Sequence, residues 1–375
     1  MSASQIDPQT APLPAQMLAV VTTGNGGYDK LEIRHVDTPK PGACEVVLQV
    51  LAAGVNNTEI NTRLGWYSAS VTDGTNAAQS AQQQAAQHKA DGGRNAATPF
   101  PLIQGTDCCG RVVRLGKDAP EGLLGKRVIV RACMRSHGFS APDNVWMASD
   151  FDGAFAQYVK VPADEVFPVE CDWSDAELAT IPCAYGTAET MLHRTSLGPG
   201  ERVLIAGASG GVGSAAVQLA KRRGAHVTAI VGAGKAQMAR EIGADAIIER
   251  GADVVKALGE RAVDVVIDNV GGAGFPAMLK VLRQAGRYAS SGAIAGPIVA
   301  LDLRDMYLKD ITLFGSTAWD EPVFAALVGY IERGEIRPLL ARSYPLTDIV
   351  AAQQEFLKKS HFGNFVLIPP GLPLS

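Results

Sequence analysis

Between Gly54 and Ser68 the chain reads GVNNTEINTRLGWYS, a run crowded with amides, hydroxyls and one phenol. Asn56 can donate an amide N–H to a bound ligand, and Tyr67 can donate a phenolic proton. Asn57, Thr58, Glu59 and Asn61 add polarity. None of these side chains is a strong nucleophile, and none is a good soft-metal ligand. Such a set can orient a substrate and protonate an oxygen that gains charge, but the reactivity has to come from another group.

That group is suggested by VLIAGASGGVGSAAVQLAK, Val203 to Lys221. A strand-like run, Val203–Ala206, enters Ala208-Ser209-Gly210-Gly211-Val212-Gly213, and a helix of small residues follows. This is the order of a dinucleotide-binding turn, with alanine in the first glycine position. Gly210 lets the backbone approach a pyrophosphate, Gly213 lets helix and strand pack closely, and the free N–H groups of the helix start face the negative charge. The next strand-like run, HVTAIV, ends in Gly232-Ala-Gly-Lys235, where an acid would otherwise hold the ribose 2′-hydroxyl. No acid is present and a lysine follows, so Gly232 and Lys235 favour NADP(H) over NAD(H). Asn269, Gly271 and Gly272 follow one later strand-like run and Ser291, Gly292 and Ala293 another. Both runs should end at the same crevice.

The elements that must carry these residues fall into two rhythms. From Met17 to about Val161 short apolar runs are broken by Gly and Pro, as in Met17–Thr22, Glu45–Leu51, Gly110–Leu115, Arg127–Arg131 and Phe155–Val161; this predicts a β-rich unit. Ala69–Pro99 interrupts it with an Ala/Gln-rich insertion, expected to be mobile. From about Pro199 strand-like runs alternate with helix-like ones closed by glycines such as Gly224 and Gly243, which predicts a parallel sheet with helical crossovers. The terminal NFVLIP is strand-like and is expected to return to the first unit. The expected fold class is α/β, a β-rich domain plus a Rossmann-type doubly wound parallel sheet. The expected division is residues 1–16 a disordered leader, 17–160 with 319–375 the first domain, and 161–318 the dinucleotide-binding domain.

At 375 residues the chain is long enough for both cores, and its 47% hydrophobic and 19% charged content is that of an ordinary globular protein. A net charge of −4 gives no general basic footprint for nucleic acid. No apolar stretch approaches the roughly 20 residues that span a bilayer, and Met1–Gln16 lacks the pattern of a secretory signal. The six cysteines form no C-x-x-C pair, and reduced thiols in a cytoplasmic enzyme are expected.

Several motifs in order, PKPGACEVVLQVLAAGVNNTE, IQGTDCCGRVVRLG, DGAFAQYVKVPADEVFPV, IPCAYGTAETML, GASGGVGSAAVQLAKRRGA and FGNFVLIP, resemble the medium-chain dehydrogenase/reductase superfamily. Within it the chain is most similar to the zinc-free quinone oxidoreductase and enoyl reductase branch. The resemblance implies a GroES-like catalytic domain, with the active site in the cleft against the Rossmann domain. It implies that Asn56 and Thr106 stand where zinc-bearing relatives have a cysteine and a histidine ligand, and that Cys183 alone matches a ligand position. The lobe that would hold a structural zinc has a lone Cys133. It also implies that Tyr67 lines the substrate site, that Thr187 lies near the nicotinamide, and that Asn364 replaces a lysine often found there. For Tyr67 a half-buried packing role, and for Thr187 a helix-interior one, stay open.

Without a Lewis acid, oxidation of a simple alcohol is hard, whereas a conjugated acceptor needs only hydride, hydrogen bonds and a proton. The expected function is therefore NADPH-dependent reduction of enones, enals, enoyl thioesters or quinones without zinc. An alcohol dehydrogenase with an irregular metal site and a non-enzymatic cofactor-binding protein are the alternatives. A small-molecule substrate is expected, with no nucleic-acid or membrane partner. Asp310–Thr317, DITLFGST, should be an edge strand with no proline or internal charge to block pairing. The resemblance implies that such a strand pairs across a homodimer.

Overall fold

The computed structural model describes residues 12–75 and 93–371. The leader expected at residues 1–16 lies mostly outside the described residues, as does the middle of the insertion.

Glu45–Val55 is the longest strand, and it is buried on both faces rather than on alternate residues. It is central in a seven-stranded sheet: Cys109–Leu115 pairs along one side, and Tyr158–Pro162 and Asn364–Ile368 pair along the other. With Tyr158–Pro162 branching off Glu45–Val55, the other six strands run in the order Val166–Pro168, Arg127–Val130, Cys109–Leu115, Glu45–Val55, Asn364–Ile368 and Leu340–Pro345. A strand covered on both faces reads as a continuous apolar run, which is why the alternation is lost. The catalytic sheet takes in Val166–Pro168, past the boundary expected at residue 160, because that strand continues the ladder of Arg127–Val130. Gln16–Thr22 opens a smaller sheet with Leu31–Asp37 and Leu102–Ile103.

The second sheet has six parallel strands in the order Ala246–Glu249, His226–Val231, Arg202–Ile205, Val263–Ile267, Leu282–Ser290 and Thr312–Gly315. This is the doubly wound dinucleotide-binding order, in which ligands lie beyond the carboxyl ends of the strands where the order reverses. Arg202–Ile205 is the strand at that reversal, and it feeds the helix Gly211–Arg222. Thr312–Gly315 is at the sheet edge.

The two sheets meet through the helix Pro182–Arg194 and through the last strand. Gly363 N–H donates to the Ser209 carbonyl at 3.2 Å, clasping the start of Asn364–Ile368 to the glycine loop. No helix among the described residues is long and apolar enough to cross a membrane.

Candidate active site

The polar cluster of the opening stretch is a strand-to-helix junction. Glu45–Val55 ends and the helix Asn57–Leu64 begins, with Asn56 at its N-cap. Asn56 N–H donates to Glu59 Oε2 at 2.8 Å, one half of a capping box. The other oxygen, Oε1, accepts Thr106 N–H at 2.8 Å, and Gln104 Nε2 donates to the Glu59 carbonyl at 3.0 Å. Burial raises the Glu59 pKa, and the N–H donors of Thr106 and Asn56 partly offset it. Glu59 therefore fastens the helix start to the segment 104–107; it is too enclosed to meet a substrate.

Asp107 joins three segments. Its Oδ2 accepts Asn56 Nδ2 at 2.8 Å, and its Oδ1 accepts Cys183 N–H at 2.5 Å. Burial pushes its carboxyl up to about 7; the two donors oppose this and Glu59 adds to it. Position 54 must be glycine, since a Cβ there would stand 2.4 Å from Asp107 Oδ2 and 2.7 Å from the Ala179 carbonyl oxygen. The Asn56 side chain is thus oriented by a buried carboxyl. Cys183 is the second residue of the helix Pro182–Arg194, and burial, then Asp107, raises its thiol far above the ordinary value. A thiol held protonated is a poor nucleophile.

Asn56, Tyr67, Cys183 and Thr187 line one cleft with the glycine loop. The glycine loop contributes Gly210, Gly211, Val212 and Gly213, and Asn269, Ser291, Gly292, Ala293 and Asn364 close the far side. Gly210 is the N-cap of the twelve-residue helix Gly211–Arg222. A Cβ on Gly213 would lie 2.2 Å from the Gly207 carbonyl oxygen, and one on Gly211 2.2 Å from Asn364 Oδ1. The cradle fits a pyrophosphate at a helix start. Asn269 Oδ1 accepts Ser291 N–H at 3.1 Å and Ser291 Oγ at 2.7 Å, locking two of the loops together. Asn364 Nδ2 is a buried donor with no partner among the described residues.

Ser209, Gly232, Lys235 and Gly271 do not line this cleft. Gly271 N–H instead meets Asp268 Oδ1 at 3.2 Å, and Ser209 serves the clasp to Gly363. Lys235 is engaged from within the protein. Its Nζ donates to the carbonyls of Lys359 at 2.7 Å and His361 at 2.6 Å, leaving one N–H of three. It ties down the loop before the last strand.

The neighbours of Lys235 supply what sequence reading missed. Arg250, at the end of the adjacent strand, has Nη2 only 2.9 Å from where a Gly232 Cβ would stand. Lys359 donates to Asn57 Oδ1 at 3.0 Å, and burial, then Lys235, lowers its ammonium to about 7. Lys235 is lowered in the same way by burial and Arg250. Three basic side chains thus gather beside the second strand, and the two lysines are lowered first by burial and then by a neighbouring cation.

Arg94 is the other side chain that sequence reading missed. It lies in the described end of the insertion, and its guanidinium carbon stands 3.8 Å from the Trp146 ring centre and 5.5 Å from that of Tyr67. The ends of the insertion are anchored: Thr75 N–H donates to the Ile294 carbonyl at 3.1 Å, and Asn95 Nδ2 to Asp150 Oδ2 at 2.7 Å. Residues 76–92 of the insertion expected at 69–99 lie outside the described residues. His88 also lies there, whereas His137 is exposed and paired with Asp143 at 2.5 Å.

A zinc ion needs at least three protein donors at such a site. The positions the resemblance assigns hold an amide already committed to Asp107, a threonine and a single cysteine, one soft donor where the ion needs three. Among the described residues no three His, Cys, Asp or Glu side chains converge.

Residues 42–171 match the family model described as an alcohol dehydrogenase GroES-like domain, and residues 211–333 the model described as a zinc-binding dehydrogenase. A solved structure from Sinorhizobium meliloti 1021, provisionally named an alcohol dehydrogenase, is 41% identical with a TM-score of 0.84, covering 95% of this chain and 98% of that one. An acryloyl-coenzyme A reductase of Metallosphaera sedula is 28% identical over 94% of this chain and 99% of its own length. A quinone oxidoreductase of Lama guanicoe is 27% identical over 94% and 97%. Two domain models matched in chain order, around a cleft that holds a dinucleotide loop against a polar strand-to-helix junction, place this chain in the medium-chain dehydrogenase/reductase superfamily.

Proposed function

We propose that this oxidoreductase transfers hydride from NADPH to an activated C=C bond or a quinone, and does so without zinc. The observation that carries the reading is the donor set of Asn56, Thr106 and Cys183, with Asp107 holding the Asn56 amide. No Lewis acid is provided for, so the pKa of an alcohol would not be lowered, and an acceptor that is already electrophilic is favoured.

The bound cofactor would supply the hydride. The chain's own part is to hold and exclude. The glycine cradle and the start of Gly211–Arg222 fit its pyrophosphate. Asn364 Nδ2 and Thr187 face the cleft as further donors. Arg250 and Lys359, with the remaining N–H of Lys235, fit a 2′-phosphate better than a bare hydroxyl. Asn56, fixed by Asp107, presents a set orientation to whatever binds beside it.

The test is the oxidation of NADPH, followed at its near-ultraviolet band, with cyclic enones, enoyl-CoA thioesters and quinones. Turnover that survives exhaustive chelation, and is lost or slowed with NADH, is the expected result. A second reading, alcohol dehydrogenase with a metal, is favoured by the name of the Sinorhizobium relative. Stoichiometric zinc in purified protein, required for oxidation of simple alcohols, would establish that reading instead.

A further inference from the structure

We propose that Arg94 is a catalytic residue of the acceptor site, a guanidinium that binds the oxygen on which charge gathers as hydride adds to the acceptor. The inference rests on the reductase reading above.

Three observations carry it. First, Arg94 Nε and Nη1 are buried and have no hydrogen-bond partner among the described residues. Buried charged donors left unpaired cost more than neutral ones, and native structures keep few of them. A donor pair left open inside a ligand cleft is accounted for if the ligand supplies the acceptor oxygen. Second, Arg94 is the one cation among the described residues lining the cleft. The groups that bear on its charge are the phenol of Tyr67, which also hydrogen-bonds to it, and the thiols of Cys183 and Cys133, and no carboxylate is among them. Third, it is held rather than loose. The guanidinium rests on Trp146, which is itself buried, and the Trp146 backbone N–H donates to Asp150 Oδ2 at 2.8 Å. Asn95 donates to the same oxygen, so the residue after Arg94 is pinned to the platform beneath it. A fixed dipole or charge aimed at a developing oxyanion needs this kind of prior support.

In the step itself, hydride brings two electrons and a proton's worth of hydrogen to the β-carbon of an enone. The π pair of the C=C bond moves through the carbonyl, and the negative charge settles on its oxygen, against the guanidinium. A water-derived proton then adds at the α-carbon and restores the carbonyl. The acceptor has gained two hydrogens and the dihydronicotinamide has been oxidised. Charge on the acceptor oxygen exists only after hydride moves, so Arg94 should act on kcat more than on KM.

The test compares the unmodified protein with R94Q and R94K. Against a neutral enone, R94Q should lose about 100-fold in kcat with little change in KM, the scale of losing one oxyanion donor. R94K, which keeps the charge, should recover part of that loss. A readout without turnover is the binding of 4-nitrophenolate, a delocalised oxyanion, to the NADP⁺-loaded protein. Its ionisation, read from its visible band, should shift toward the anion on the unmodified protein and not on R94Q. If R94Q binds NADPH poorly and has lost its fold, R94K and the nitrophenolate titration of the unmodified protein decide the matter.

Unchanged kcat for R94Q with neutral enones would overturn the proposal. So would a loss confined to KM for carboxylate-bearing acceptors, which would make Arg94 a substrate clamp. If the unmodified protein reduces no acceptor while nitrophenolate binding still depends on Arg94, the reductase reading fails and the anion site stands.

Discussion

Lys359 sits half-buried against Lys235, and its ammonium is lowered to about 7 from an unfolded value of 10.5. Between those two values the unfolded chain binds a proton that the folded chain does not. This residue's contribution to stability is therefore least favourable below about pH 7 and improves as pH rises toward 10.5. A 2′-phosphate beside it would draw the proton back. NADPH should accordingly bind with uptake of close to one proton at pH 8, and NADH with little. Calorimetric titration in two buffers of different ionisation enthalpy measures this directly, and equal uptake for both cofactors would remove Lys359 from the phosphate site. At this scale the glycine loop was legible because strand, turn and helix are consecutive, so local spacing carries the whole signal. The engagement of Lys235 was not legible, because its partners, the carbonyls of Lys359 and His361, arrive from another part of the chain. Arg94 left no signal: an arginine in an Ala/Gln-rich stretch looks solvated until Trp146 is brought beneath it.

The element that matters most to the cofactor is the start of Gly211–Arg222, where the last strand presses against it. A methyl group on Gly211 would collide with Asn364 Oδ1 while its other close neighbours, Asn364 Cγ and Ala184 Cβ, stand at 3.2 and 3.4 Å. Gly211→Ala should therefore weaken NADPH binding about 10-fold by pushing Asn364 aside, of order one hydrogen bond. The double variant G211A/N364A should show less than the sum of the two single losses, since the collision is then gone. Fluorescence titration of NADPH reads all four proteins, and strict additivity would mean that the two residues act separately. The strands legible from sequence were those with apolar runs. Leu31–Asp37 is mostly polar and half-exposed, and Leu340–Pro345 lies at a sheet edge, so neither carries a strong burial pattern.

For the molecule as a whole we propose a homodimer through the edge strand Thr312–Gly315. The segment that leads into it carries exposed apolar side chains: Ile298 is 70% exposed, Leu303 58%, Tyr307 59% and Leu308 60%, and Leu313 on the strand itself 38%. An uncovered strand edge with such side chains is a liability that a two-fold partner removes, using the same residues on both sides. Light scattering should give twice the 39.3 kDa chain mass at micromolar concentration. Leu313→Pro, which removes one ladder N–H, should yield monomers or insoluble protein. A monomeric unmodified chain would contradict the proposal.

The catalytic sheet has its own order of assembly. Asn364–Ile368 lies between Glu45–Val55 and Leu340–Pro345, so the ribosome delivers it only after the entire cofactor sheet has been made. Until then Glu45–Val55 waits with one side of its upper end unpaired, beside a dinucleotide domain that already has every strand it needs. A nascent chain stalled at that point would be half an enzyme with an open β-edge, the species most exposed to aggregation and most in need of a chaperone during synthesis.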